Sequence, residues 1–294
     1  MRAVILGKNG GKHVTLLQQA LAKYGINAPC LPITRLTARP GNDPLLTPNG
    51  GGRHGHALVE ADVVFVRCVP GGPLEQVIYR LDVLHCLELA GKRVVNTPRA
   101  IERGVDKYLT LSLLAKEGLP VPATIVTERL DEAMAGFEEL GGDVVVKPLF
   151  GSEGRGMTRV TDADMAYRVF KALELGGYIY YLQEFMDHGN EDIRVFVVGG
   201  KVVASMRRQG TTWKTNLSVG AQGFAFEADE TMADMAVRAA NVVGADYAGV
   251  DILVCDKGYR VIEVNTIPAW AGLKQATGID AGEALVEYVL EGSD

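Results

Sequence analysis

No apolar run in the 294 residues is long enough to span a bilayer. The opening Met1–Gly7 reads as a strand entering a glycine turn, without the apolar core and cleavage site of a signal peptide. The Asn216-Leu-Ser218 sequon is therefore expected to stay unused. Cysteine is scarce: Cys30, Cys68, Cys86 and Cys255 are scattered without metal-type spacing. That argues for reduced thiols and a cytoplasmic protein. Positive charge is not in excess either, with 30 Lys and Arg against 36 Asp and Glu and a net charge of −6. A dedicated nucleic-acid binder is thereby disfavoured. No Ser-His-Asp or Cys-His arrangement stands out, and internal repeats and low-complexity tails are missing. What remains is an ordinary globular composition, 47% apolar and 22% charged, in a chain with room for two or three lobes.

The first hundred residues alternate strand and helix. Arg2–Leu6 is a short apolar run, Gly7–Gly11 a glycine turn, and a helical pattern runs from about His13 to Tyr24. Gly7 to Lys12 hints at a phosphate loop but fails the P-loop spacing, with His13 where Ser or Thr should stand. Arg35–His56 is irregular, rich in Pro, Gly, Asn and Thr, and reads as a mobile surface loop; His54 and His56 lack companions for a metal site. Further strands are expected at Ala61–Arg67 and Arg93–Asn96, with a helix from Leu74 to Ala90 between them. Thr97 is a plausible helix cap ahead of Pro98. This is a small open α/β sheet, and Arg67 and Asn96 end strands where such sheets present ligand contacts.

Two stretches carry chemistry. In Val144-Val-Val-Lys147-Pro-Leu-Phe-Gly151-Ser152-Glu-Gly154-Arg-Gly156, a strand delivers a lysine and then a glycine loop whose N–H groups would cradle phosphates. A merely flexible turn would look similar. Later, Asp251–Cys255 and Tyr259–Val264 flank Asp256-Lys257-Gly258, which suits a three-residue hairpin turn. That register sets Cys255 against Tyr259 and Asp251 against Glu263, with Asn265 on the same face. Like charges opposed across a ladder want a neutralising partner. Two carboxylates and an amide oxygen form a hard ligand set suited to Mg²⁺ or Mn²⁺, although unrelated acids on a solvated strand would read alike. A second hairpin, Asp192–Val198 and Lys201–Arg207 across Gly199-Gly200, is expected to pair Asp192 with Arg207 and to set Arg194 on the face of Asp192.

In this order the motifs resemble the ATP-grasp superfamily, and within it the RimK-like α-L-glutamate ligases that modify a ribosomal protein. Carrying the resemblance are the Lys147–Gly156 stretch, Gln183-Glu184-Phe185, Asp192-Ile-Arg194, Lys214-Thr-Asn216-Leu-Ser-Val-Gly220 and Glu263-Val-Asn265-Thr-Ile-Pro268. It implies an α/β and α+β protein: an N-terminal α/β pre-ATP-grasp domain over residues 1–100, a small lobe with the glycine loop over 101–187, and a C-terminal lobe with the metal site over 188–294. It further implies that Lys107 and Lys147 contact ATP phosphates under the loop containing Gly151, Ser152, Gly154 and Gly156. Gln183, Glu184, Phe185, Met186 and Asp187 would hold the adenosine. Asp192 and Arg194 would meet substrate, Arg207, Lys214 and Asn216 would serve the transferred phosphoryl group and the acceptor, and Asp251, Glu263 and Asn265 would hold two Mg²⁺ ions. Trp213-Lys214 departs from an aromatic-Arg pair common there, which weakens the role given to Lys214.

The implied reaction activates a carboxylate as an acylphosphate and joins it to the amine of L-glutamate. Asn265-Thr-Ile-Pro-Ala-Trp270 looks most like ligases acting on small pterin-type coenzymes, tetrahydromethanopterin first, with lysine-biosynthesis carrier-protein ligases near relatives. A kinase on the same scaffold, or a nucleotide-binding module without catalysis, are the competing readings. Family resemblance implies a homodimer or homotetramer, with no nucleic acid and no membrane among the partners.

Overall fold

A computed structural model of the chain describes residues 1–41, 46–48, 53–151 and 154–292. The first sheet joins β1 (Ala3–Leu6), β2 (Cys30–Leu31), β5 (Val63–Val66) and β6 (Arg93–Val95), all parallel, in the order β2-β1-β5-β6. Its central strands are apolar throughout because both faces are covered. Ala3, Ile5 and Phe65 pack toward α1 (Lys12–Ala22), while Val4, Leu6, Val64 and Val66 pack toward α2 (Arg53–Glu60) and α3 (Leu74–Leu89). Thr97 caps α4 (Pro98–Val105), its Oγ accepting from the Ala100 N–H. Where an irregular loop was expected, β3 (Leu36–Ala38) and β4 (Leu46–Pro48) form an antiparallel pair and α2 begins at Arg53. The rest of that loop, with the His54 and His56 side chains, lies outside the described residues.

A second, antiparallel sheet follows α5 (Lys107–Lys116). It contains β7 (Thr124–Thr127), β8 (Val144–Val146), β9 (Thr158–Val160) and β10 (Tyr180–Glu184) in the order β7-β10-β8-β9. Helices α6 (Leu130–Glu139) and α7 (Ala163–Leu175) cover one face, burying Phe137, Phe170, Val144, Val146 and Leu182. The opposite parity, Val145 and Gln183, faces a cleft.

The third sheet closes that cleft. It runs β13-β12-β11-β14-β15, with β11 (Glu191–Val198), β12 (Lys201–Gln209), β13 (Gln222–Phe226), β14 (Tyr247–Cys255) and β15 (Gly258–Asn265) all antiparallel. Helix α8 (Glu230–Val243) covers one face, where Ile193, Val195, Val250, Ile252, Val261 and Val264 are buried. Of the last two helices, α9 (Ala271–Thr277) packs on β12 and β13 of the third sheet, and α10 (Ala281–Glu291) lies against β11 and β12 and returns to α1 of the first domain. Leu285, Val286 and Val289 of α10 join Leu17 and Leu21 of α1 in one core.

Two bulges decide which side chains face the cleft. In the β14–β15 hairpin Cys255 pairs with Gly258, not Tyr259, so the turn is one residue shorter than expected. A register shift between Asp251 and Ile252 then leaves Ile262 as the extra residue and restores Asp251 opposite Glu263. Val261 and Val264 are three apart yet both buried under α8, which alternation alone cannot achieve. In the β11–β12 hairpin the shift lies between Phe196 and Val197, and nothing compensates for it before Asp192. Asp192 therefore pairs with Arg208, and Arg207 falls opposite Ile193: the expected Asp192–Arg207 pairing is corrected by one residue.

Candidate active site

Between the second and third sheets lies a cleft of about 860 Å³, open to solvent. Its floor is an ion network on the inner face of the third sheet. Arg194 donates from Nε to Asp251 Oδ1 at 2.5 Å and from Nη2 to Oδ2 at 2.7 Å. Arg208 grips Asp192 the same way, at 2.6 and 2.5 Å, and reaches Asp251 Oδ2 at 3.0 Å. The Thr215 hydroxyl donates to Asp192 at 2.7 Å. All four charged residues are buried, and two acids balance two bases. Burial works to raise the Asp251 carboxyl, yet Arg194 and Arg208 together hold it below the usual carboxylate range. Arg207 points to the other face of β12, 3.6 Å from Glu191 and beside the Phe224 ring. The guanidinium that the sequence assigned to the cleft is thus supplied by Arg208.

Three lysines reach into the cleft from different elements. Lys147, just past β8, donates to Gln183 Oε1 at 2.6 Å, and Gln183 in turn donates to Thr124. Burial is the main cause lowering Lys147 to about 8; Lys107 nearby lowers it further, while Glu263 and Asp251 pull the other way. Lys107 donates to the Gly151 carbonyl at 2.6 Å, and Lys214 to the Met157 carbonyl at 2.9 Å. Both thus hold the ends of the glycine loop, whose Ser152 lies outside the described residues. Gly154 has φ +70°, and a Cβ there would stand 2.3 Å from Asn216 Oδ1, so only glycine fits. That contact brings the glycine loop and the Asn216 loop together over the cleft.

At the end of β10, Glu184 accepts from the Ala123 N–H and from Lys257, and the Phe185 N–H is taken by the Asp143 carbonyl. The next N–H, that of Met186, has no partner among the described residues and stands beside Val145, Leu253 and Ile262 in the cleft wall. An apolar slot with one free backbone donor matches the edge of a purine. Asp187 accepts from the Gly189 N–H. Gly156, Asp187, Arg194 and Asn265 flank the cleft without lining it, whereas Glu263, Asp251, Lys214 and Asn216 line it. Thr215, Arg208 and Arg155 are lining residues that sequence reasoning missed.

Among the described residues no group of three or more His, Cys, Asp or Glu side chains is placed to hold a metal. The Asp251–Glu263–Asn265 set, with its amide, is nonetheless compatible with a hard cation. The Glu263 side chain makes no hydrogen bond or ion pair among the described residues, and the Asn265 side chain uses only its Nδ2, toward Gly249 and Asp251 at 3.4 Å. An ionised carboxylate offers about four lone-pair sites. On Asp251, Oδ1 accepts from Arg194 alone, while Oδ2 accepts from Arg194, Arg208 and Asn265, so one site on Oδ1 remains. The positive charge expected from metals opposite Asp251 is already supplied in large part by two arginines.

The family model described as the RimK-like ATP-grasp domain matches residues 104–289, well over half of the chain. The chain belongs to the RimK-like ATP-grasp family. The resemblance read from the sequence is borne out, and this enzyme is an ATP-grasp ligase. It is 34% identical over 266 residues to the tetrahydromethanopterin:α-L-glutamate ligase of Methanosarcina acetivorans, an alignment covering 79% of this chain and 81% of that protein. The α-aminoadipate–LysW ligase LysX of Saccharolobus solfataricus is 30% identical over 70% of this chain and 77% of its own. Among solved structures, a RimK domain ATP-grasp protein from Sphaerobacter thermophilus superposes with a TM-score of 0.77 at 20% identity, covering 98% of this chain and 99% of that one. The ATP-grasp ligase PsnB, solved with a precursor variant, Mg and ADP, gives 0.76 at 22% identity over 100% and 99%. At those identities the two structures speak for the ATP-grasp fold alone. No helix of the described residues is long and apolar enough to cross a membrane.

Proposed function

We propose that this ligase joins the amine of L-glutamate to a carboxylate of a small pterin-type coenzyme, tetrahydromethanopterin first among the candidates, at the expense of ATP. The observation that carries the reading is the convergence of Lys107, Lys147, Lys214 and Arg208 on one cleft beside the Glu263 carboxylate, which has no partner among the described residues. The 34% relatives supply the substrate class. Lys147, Lys107 and Lys214 bind the phosphates, the two latter exchanging their present carbonyl partners for phosphate oxygens. The Met186 N–H and the Val145–Leu253–Ile262 slot orient the adenine. A carboxylate oxygen of the acceptor attacks the γ-phosphorus, the bond to the bridging oxygen breaks, and ADP leaves. The glutamate amine then adds to the acyl carbon, loses its proton and expels phosphate. Arg208 holds charge beside the transferred group, and the Gly151–Gly156 loop, pinned to Asn216 at Gly154, keeps water from the acylphosphate. Glu263, Asn265 and the free Asp251 site would hold Mg²⁺, which when bound neutralises phosphate charge. The assembly proposed from family resemblance is a homodimer or homotetramer.

Phosphate release from ATP with Mg²⁺, L-glutamate and a panel of carboxylates, read with product mass, tests the proposal. A glutamate-sized mass gain on tetrahydromethanopterin with equimolar ADP is expected. Phosphorylation of an acceptor that ignores every amine would make the enzyme a kinase, and a gain only on a carrier protein would move it to the lysine-biosynthesis type.

A pH dependence follows from Lys147. In the free enzyme it is charged below about 8. ATP restores the charged form above that, so nucleotide binding there takes up a proton and weakens as pH rises, by at most about tenfold per unit. Calorimetric titration of ATP at pH 9 in two buffers of different ionisation enthalpy measures that proton directly. Equal heats in both would remove Lys147 from the phosphate site.

A further inference from the structure

After β12 the chain leaves the third sheet, and residues 210–216 form a strap between the floor of the cleft and the glycine loop above it. The strap is folded tightly at its start. The Gly210 N–H donates to the Asn190 carbonyl at 2.9 Å, and a Cβ on Gly210 would stand 2.4 Å from the Lys214 carbonyl oxygen. A larger residue there would push the strap outward.

Its last three side chains reach in two directions. Lys214 donates to the Met157 carbonyl, and Asn216 Oδ1 fills the space where a Cβ on Gly154 would be, so both meet the glycine loop. Thr215, between them, turns to the floor: it is 7% exposed, and its hydroxyl donates to Asp192 Oδ2 at 2.7 Å. The same oxygen accepts from Arg208 Nη2 at 2.5 Å, and that Nη2 also reaches Asp251 Oδ2 at 3.0 Å. A threonine hydroxyl has one proton to donate. Here it goes to a carboxylate that already holds a two-pronged arginine partner. Neutralising Asp192 is therefore the task of Arg208, and what Thr215 adds is a fixed distance between strap and floor. One run of three residues thus links the glycine loop to Arg208, and every group in the link lines the same cleft.

We propose that Thr215 is a positioning residue for phosphoryl transfer: through Asp192 it sets Arg208 beside the transferred group, and through the strap it seats Lys214, Asn216 and the glycine loop above it. This deepens the ligase reading and rests on it for the placement of the phosphates, whichever acid is joined. Lys147, Lys107 and the Met186 N–H, which hold the nucleotide in that reading, come from other elements than the strap. With the hydroxyl gone, Asp192 Oδ2 keeps only an Arg208 Nη2 shared with Asp251, and the strap loses its hydrogen bond to the floor. The loss falls on turnover and spares nucleotide affinity, because Arg208 acts where charge develops during transfer.

Two measurements test it: steady-state turnover with tetrahydromethanopterin, L-glutamate and Mg²⁺-ATP, and tryptic cleavage after Arg155 with Mg²⁺ and the non-hydrolysable analogue AMPPNP, without acceptor. Thr215→Val keeps the shape and loses the hydroxyl. It is expected to lower kcat at least about tenfold with the KM for ATP within about twofold, and Thr215→Ser, which returns the hydroxyl, to recover most of the loss. Arg155 is exposed in the glycine loop. The analogue is expected to slow cleavage there at least about fivefold in the wild type and in Thr215→Ser, and less than about twofold in Thr215→Val. Thr215→Ala serves should Thr215→Val fail to fold. Wild-type turnover in Thr215→Val, a loss confined to the KM for ATP, no recovery in Thr215→Ser, or equal protection of Arg155 in all three would each overturn the proposal. A wild type silent on tetrahydromethanopterin would sink the acceptor assignment alone, since protection of Arg155 reads Thr215 without any acceptor.

Discussion

Glu263→Gln is expected to lower turnover roughly a thousandfold while the protein stays folded. The side chain is replaced by one of equal shape in a cleft-facing position where it makes no hydrogen bond or ion pair among the described residues. Without ligands the variant should be slightly more stable than the wild type, by up to about 1 kcal/mol, because one of two opposed acids is neutralised. What it loses is the extra stabilisation that Mg²⁺ with nucleotide gives the wild type. Two melting curves, with and without Mg²⁺-ATP, and a turnover assay check all three statements. Near-normal turnover would remove the β14–β15 hairpin from the metal site.

Arg208→Ala and Arg207→Ala, adjacent in sequence, should behave as opposites. Losing Arg208 leaves the Asp192 and Asp251 carboxylates buried and under-compensated, and breaking such a pair costs about 4 kcal/mol. Turnover should vanish with it. Arg207 loses a half-exposed contact to Glu191 and its place over Phe224, worth under about 1 kcal/mol. Denaturant unfolding and turnover of the two variants decide the matter. A harmless Arg208→Ala with a crippling Arg207→Ala would return the catalytic role to Arg207.

That pair also marks where reading the chain stops. Both positions are arginine, so no choice of side chain distinguishes the register with a bulge from the one without. In the β14–β15 hairpin a signal existed: valines at 261 and 264 cannot share a face in an unbroken strand, and the bulge at Ile262 follows from burying both. The expected three-residue turn is one residue too long and the unforeseen bulge at Ile262 makes up the difference, so Asp251 meets Glu263 through two shifts that cancel. The motifs Lys147–Gly156 and Glu263–Asn265 announced the fold because each places unusual chemistry on a strand end. Arg194 and Arg208 as the counter-ions of Asp251 were hidden, since they depend on three strands lying side by side. Asn96, expected as a ligand contact, is fully buried and spends its amide on Tyr247 and Thr266, tying the first sheet to the third.

The return of α10 to α1 has a consequence for how the chain is made. Leu285, Val286 and Val289 complete the core under β1, and Lys23 and Tyr24 reach Glu283 and Glu287 across the same seam. On the ribosome the first sheet is finished long before those partners emerge. At 5 to 20 residues per second the remaining chain takes roughly 10 to 40 s to appear. For that interval the apolar side of α1 that meets α10 stands uncovered, a surface for chaperones to hold, and removing the last helix would make the exposure permanent.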